Sequence, residues 1–153
     1  MNTSARVRFL LMALGVAALA RAAGEDVRVL GANALATPPG ASTAVVYLDL
    51  HNAGAGADKL VGARTAVAER VEIHTTEMDG TTMRMRTQAA LELPVGGSIE
   101  MHSGGTHLML IGLRQPLRAG TQFKLTLLFA HAAARDAEVT VQPLGRPTPR
   151  AAP

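Results

Sequence analysis

Apolar and polar positions alternate in short runs along most of the chain, and turn-forming residues separate the runs. Ala44-Val45-Val46-Tyr47-Leu48-Asp49-Leu50 predicts a strong strand, closed by His51-Asn52-Ala53-Gly54, whose composition is that of a turn. Before it, Val27-Arg28-Val29-Leu30 predicts a short strand and Thr37-Pro38-Pro39-Gly40 a loop. Further strands are expected at Leu60–Ala63 and Val71–Thr75. Met78-Asp79-Gly80 reads as a hairpin turn leading into Thr81–Thr87. Leu91-Glu92-Leu93 is brief and is turned by Pro94-Val95-Gly96-Gly97. Ser98–Met101 and His107–Leu113 flank the Gly104-Gly105 pair. In Gln122–Phe129 the residues Phe123, Leu125, Leu127 and Phe129 share one face, and Ala137–Val141 is the last strand. No segment carries a helical period. Short strands broken by frequent turns argue for an all-β sandwich or barrel.

The two ends depart from this pattern. Arg6 and Arg8 precede an apolar run, Phe9–Ala20, and Ala20-Arg21-Ala22 places small residues where a signal peptidase cuts. The run is too short to span a bilayer. Residues 1–22 are therefore expected to be a signal peptide, residues 23–143 one β domain, and residues 144–153 a flexible proline-rich tail. Export changes the reading of charge. The whole chain carries a formal net charge of +3, but Arg6, Arg8 and Arg21 belong to the leader. Without them twelve basic face twelve acidic side chains, and no basic cluster or aromatic platform is left for a nucleic acid. The chain has no cysteine. That excludes a disulfide framework, a thiolate metal site, a blue-copper centre and a lipid anchor on cysteine. The exported protein is expected to be periplasmic, soluble and without a membrane anchor.

The chemistry gathers between Val71 and Leu113, which hold three of the five histidines and five of the seven methionines. His107 and Met109 stand at i and i+2 in an apparent strand, so their side chains share a face roughly 7 Å apart, while Leu108 and Leu110 point the other way. Met83 and Met85 repeat the spacing with Arg84 and Arg86 opposite, where a solvated strand face is the expected role. His74 follows Val71 and Ile73 on the outward face. Imidazole with thioether is a soft-to-borderline donor set, and thioether sulfur favours Cu(I) over harder divalent ions. No nucleophile or acid–base set in a recognisable motif accompanies it, so no enzyme is expected.

His74, ten residues, Met85, twenty-one residues, then His107-Leu108-Met109 resembles the H(M)X10MX21HXM signature of the periplasmic copper chaperones often called PCuAC. Met83-Arg84-Met85-Arg86, Leu93-Pro94-Val95-Gly96-Gly97 and Gly104-Gly105-Thr106-His107-Leu108-Met109-Leu110 agree with it, and the resemblance runs from about Val46 to Val141. It implies a cupredoxin-like Greek-key β-sandwich and one Cu(I) per chain, held by His74, Met85, His107 and Met109. It also implies delivery to the CuA centre of cytochrome c oxidase subunit II, alongside a Sco-type thiol protein, by a monomer. Met83 is expected to pack beside the site and Met78 to be a solvent-exposed turn residue. Met101-His102 departs from the family pattern, where an apolar residue is expected, so Met101, His102 and Met78 stand open as accessory ligands. His51 and His131 are expected to be incidental. A copper-sequestering protein without a dedicated acceptor is the alternative function.

Overall fold

The computed structural model describes residues 26–145. The expected signal peptide and nearly all of the expected tail lie outside the described residues. Ten strands follow one another: β1 Val27–Leu35, β2 Thr43–Asn52, β3 Asp58–Thr65, β4 Ala68–Asp79, β5 Thr82–Gln88, β6 Leu91–Leu93, β7 Ser98–Glu100, β8 Thr106–Leu113, β9 Gln122–Phe129 and β10 Arg135–Gln142. Among the described residues there is no helix. The hydrogen-bonded order is β5-β4-β8-β2-β1-β10-β9-β3-β6, with β7 added to β2. Only β1 and β10 pair in parallel; the other ladders are antiparallel. The fold is the expected all-β, cupredoxin-like sandwich.

Alternation builds the core. Val46, Leu48 and Leu50 of β2 are buried, as are Leu108 and Leu110 of β8. Leu125, Leu127 and Phe129 of β9, with Ala137, Val139 and Val141 of β10, come from the far half of the strand order and join the same cluster. A single core thus lies between two layers, and each fully buried Leu or Val side chain contributes about 1.5–3 kcal/mol through burial. Phe123 sits at the margin of that cluster, half-buried.

Most strands run longer than predicted, and in two places residues assigned to a turn belong to a strand. The strand β2 runs through His51 and Asn52, which the sequence pattern assigned to a turn. His51 pairs with Arg28 and Ser98, and its Nδ1 lies 3.2 Å from the Ser98 hydroxyl. Asn52 is 1% exposed, and its side chain makes the turn that follows instead of forming part of it. The amide donates to Gly56 O at 2.8 Å and Leu93 O at 3.1 Å, and Oδ1 accepts from Gly54 N–H at 2.9 Å. A buried polar side chain with its bonds made is tolerated at the end of a strand. The second shift is at the β4–β5 hairpin. Met78 and Asp79 belong to β4, and the turn is Gly80-Thr81, with Asp79 opposite Thr82. Gly80 has φ +64°, the left-handed region that a two-residue hairpin turn requires at its first central position and that glycine supplies without steric cost.

This hairpin outgrows the sheet. β4 pairs with β8 only from Ala68↔Leu113 to Thr75↔Thr106, whereas its pairing with β5 continues to Asp79↔Thr82. Beyond Thr75 the two strands project as a ribbon, and their side chains become exposed.

Candidate metal centre

Strand register brings the four expected ligands to one face. His74 lies directly opposite His107 across β4 and β8, and Glu72 lies opposite Met109. Met85 lies opposite Thr76, the next residue outward from His74 on that face of β4. Residues paired across a ladder share a face, so His74, His107, Met109 and Met85 are neighbours on the outer surface of the sheet, while Leu108, Leu110 and Ile73 fill the core beneath them.

His107 forms the floor. It is 4% exposed and stands between two aromatic rings in edge geometry. Tyr47 lies 6.4 Å away and His74 5.8 Å away, centroid to centroid. Its Nδ1–H donates to Gly105 O at 3.2 Å, an oxygen that also accepts from Thr76 N–H at 3.1 Å. The carbonyl fixes the tautomer, since it can only accept, and leaves Nε2 with the lone pair. Burial holds the His107 pKa below the ordinary histidine range, against the Gly105 hydrogen bond and with the help of the neighbouring His74, so the ring is neutral at pH 7.

His74 is arranged the opposite way round. Its Nε2 bonds to Glu72 Oε2 at 2.9 Å and lies 3.3 Å from the Thr87 hydroxyl. A carboxylate accepts, so Nε2 carries the proton and the neutral ring keeps its lone pair on Nδ1. Glu72 is held in turn by Arg70 Nε at 2.9 Å, and the hydrogen bonds from His74 and Arg70 lower its pKa. The outcome is that His74 Nδ1 and His107 Nε2 are both buried and both without a hydrogen-bond partner. Two orphaned lone pairs on adjacent rings suit a metal ion, because unpaired buried polar atoms are otherwise costly. Among the described residues no three His, Cys, Asp or Glu side chains are grouped as a metal site needs. The soft donors that share a face with these two nitrogens are the thioethers of Met109 and Met85.

The two thioethers differ. Met109 is half-buried beside Val45 and Glu72 in the ladder. Met85 is 58% exposed on the projecting ribbon. Met83 does not pack beside the site as expected: it is 63% exposed, opposite the equally exposed Met78, further toward the tip. Both lie outside the core because β5 has no neighbour but β4. Arg84 and Arg86 occupy the opposite face of the ribbon and are paired there, Arg84 to Asp79 at 3.2 Å and Arg86 to Glu77 at 2.9 Å.

The open residues divide. Met101 is 5% exposed in the core, its N–H bonded to Leu48 O, so it supplies the apolar side chain that the position calls for. His102 is exposed, donates Nδ1–H to Ser103 O at 3.1 Å and lies over Gly105, where a Cβ would stand 2.5 Å from its ring. It thus sets the need for glycine beside the site. His131 contributes a backbone N–H to Asp58 and is exposed. Glu72 escaped the sequence reading, although its place two residues before His74 on an alternating strand was the signal for it.

Comparison with other proteins agrees with this architecture. A protein of Leifsonia xyli subsp. xyli (strain CTCB07), Lxx21020, named as a lipoprotein, is 29% identical over 104 residues, covering 67% of this chain; the chain spans 63% of that relative's length. The apo PCuAC domain from PmoF1 superposes with a TM-score of 0.66 over 77% of this chain and 94% of that one, at 23% identity. The solution structure of Cu(I)-DR1885 from Deinococcus radiodurans is 31% identical, with a TM-score of 0.60 over 73% of this chain and 75% of that one. A family model described as lipoprotein LpqE-like matches residues 27–142, from the first strand to the last, and the chain belongs to that LpqE-like family.

Proposed function

We propose that this protein is a non-enzymatic copper chaperone that carries one Cu(I) in the periplasm and delivers it to the CuA centre of cytochrome c oxidase subunit II. The observation that carries the reading is the pair of buried, partnerless nitrogens, His74 Nδ1 and His107 Nε2, on the face that also bears Met109 and Met85. The likeness to Cu(I)-DR1885 and to PCuAC domains supports the choice of metal. The lipoprotein names in the family support an exported, envelope-associated protein.

The donor set is two neutral imidazoles and two thioethers. Thioethers carry no proton and form no disulfide, so the site works in an oxidising compartment without cysteine. Zinc competes poorly, because thioether is not among its usual ligands. His107 and Met109 hold the ion from below, while Met85 stands outermost and most exposed. An incoming thiolate therefore displaces the Met85 thioether first, and the remaining donors follow. Copper stays Cu(I) throughout and no electron moves. Anionic, soft thiolates bind Cu(I) more strongly than this neutral set, so transfer to a CuA site runs downhill. A Sco-type thiol protein would be an acceptor by the same chemistry.

The test is to mix Cu(I)-loaded protein with reduced, copper-free subunit II and follow copper by separation and metal analysis. Copper is expected on subunit II, and the His107→Ala, Met109→Ala variant is expected to lose the buried centre and not to support specific loading of the acceptor. Retention of copper by the donor with excess competent acceptor would defeat the chaperone reading and favour sequestration.

A further inference from the structure

The proposed centre uses two of the four methionines on this face of β4, β5 and β8. Met78 and Met83 remain, directly opposite one another near the ribbon tip and each 63% exposed. Neither belongs to the core. Apolar side chains of this size at paired, exposed positions add nothing to packing. Residues opposite each other on neighbouring strands have Cβ atoms about 5 Å apart, within reach of a shared ion for two flexible thioethers. Met85 follows Met83 by two residues on the same face, roughly 7 Å along the strand.

The rest of that face is neutral from His74 outward: Thr76 on β4 and Thr87 on β5. The charged residues of the ribbon, Glu77, Asp79, Arg84 and Arg86, alternate onto the other face and are bonded to each other there. Glu72, the carboxylate on this face, lies inward of His74 and is bonded to it and to Arg70, so none stands beside Met78 and Met83 to attract a hard divalent ion. A soft monovalent cation is what exposed, uncharged thioethers select.

We infer that Met78 and Met83, with Met85 as the shared third donor, form a second, weaker soft-metal site at the hairpin tip, through which Cu(I) enters and leaves the buried centre. Rotation of Met85 between the two sites exchanges one neutral donor for another, with no change in charge or oxidation state. The entry and exit role rests on the copper reading of the buried centre; the thioether site itself does not.

Ag(I), a redox-inert soft monovalent surrogate, is titrated into the purified protein carrying ¹³C-methyl methionine, in the native form and in the His107→Ala, Met109→Ala variant. Both forms are expected to shift the Met78 and Met83 methyl resonances, in the native protein chiefly during the second equivalent. The Met78→Leu, Met83→Leu variant is expected to bind the first equivalent as before and the second about tenfold more weakly or worse, a scale on which metal sites respond even to loss of an outer partner. Leucine preserves the size and apolar character of these exposed positions, so folding is not at stake. If one equivalent binds at His74 and His107 while the tip methyls stay unmoved, the tip site is wrong and the chaperone reading survives. If no silver binds in any form, both fail. Tip methyl shifts that need the acceptor protein and not the metal would also overturn the inference, making the face a docking surface.

Discussion

Met83 and Met85 separate ligand from neighbour at the scale of single residues. They lie on the same face of one strand, two residues apart, and both are exposed. Met85 is opposite Thr76 and adjoins His74, whereas Met83 is opposite Met78 at the tip. Met85→Leu nearly conserves volume and hydrophobicity, so the thermal midpoint should hold while affinity for the first Cu(I) falls. Met83→Leu should leave that first equivalent almost untouched. Competition titration with a Cu(I) chelator measures both, and equal losses would show that the wrong methionine has been assigned. Asp58 offers a residue-scale test of stability away from the metal. Burial opposes its ionisation, but N–H groups of Ala132, Lys59 and His131 at 2.7, 2.7 and 3.0 Å prevail and lower its pKa. A depressed carboxylate contributes stability that is present above its unfolded pKa of about 3.9 and lost as pH falls through the lower folded value. Asp58→Asn should cost on the order of 1–3 kcal/mol near neutrality, since an amide cannot accept all three bonds. Below the lowered folded-state pKa the variant and the native protein should converge in chemical denaturation; a gap that persists there would mean the carboxylate charge is not the cause.

The β4–β5 hairpin is the element that carries Met85, Met83 and Met78. Its base is held by β8 and by the Thr76 N–H bond to Gly105 O, but from Glu77 outward it is held through its own ladder. Gly80→Ala forces a Cβ into the left-handed region, at a cost of about 1–2 kcal/mol. Because the ribbon lies outside the core, that cost should appear as local fraying with little loss of global stability. Hydrogen exchange should speed up for amides between residues 76 and 85 and stay unchanged in β9 and β10. First-equivalent copper affinity should fall modestly, because Met85 is less often in place. Unchanged exchange in the ribbon would show that Gly80 is not under conformational demand.

The whole molecule separates rigidity from access. One face of the β8–β4 pair is packed against the core, and the other carries a buried histidine and graded methionines that become more exposed toward the tip. The scaffold fixes His107, and the ribbon carries the outer donors into solvent, where an acceptor can reach them. The proposed function places the protein outside the cytoplasm. The chain expressed in a bacterial host should be recovered from the periplasm with roughly its first 22 residues removed. Mass spectrometry of the exported protein checks this, and an intact cytoplasmic chain would contradict it.

Alternation alone was enough to determine that the chain is all-β, that Leu125, Leu127 and Phe129 share one face of their strand, and that His107 and Met109 share a face with Leu108 and Leu110 turned away. These are local consequences of a two-residue period. The resemblance of the His74, Met85 and His107–Met109 spacing to the PCuAC signature marked the candidate ligands. What a linear pattern cannot contain is register. The pairing of His74 with His107 joins residues 33 apart in the chain, and only the β4–β8 ladder sets it. Each ring makes its hydrogen bond two residues away along the chain, His74 to Glu72 and His107 to Gly105 O, and the ladder brings the two nitrogens left without partners side by side. It also decides where β8 stops and the ribbon starts, and hence that Met83 is exposed and not packed. Long-range pairing depends on the whole core closing between its two layers, so tertiary structure alone brings four well-spaced residues onto one face.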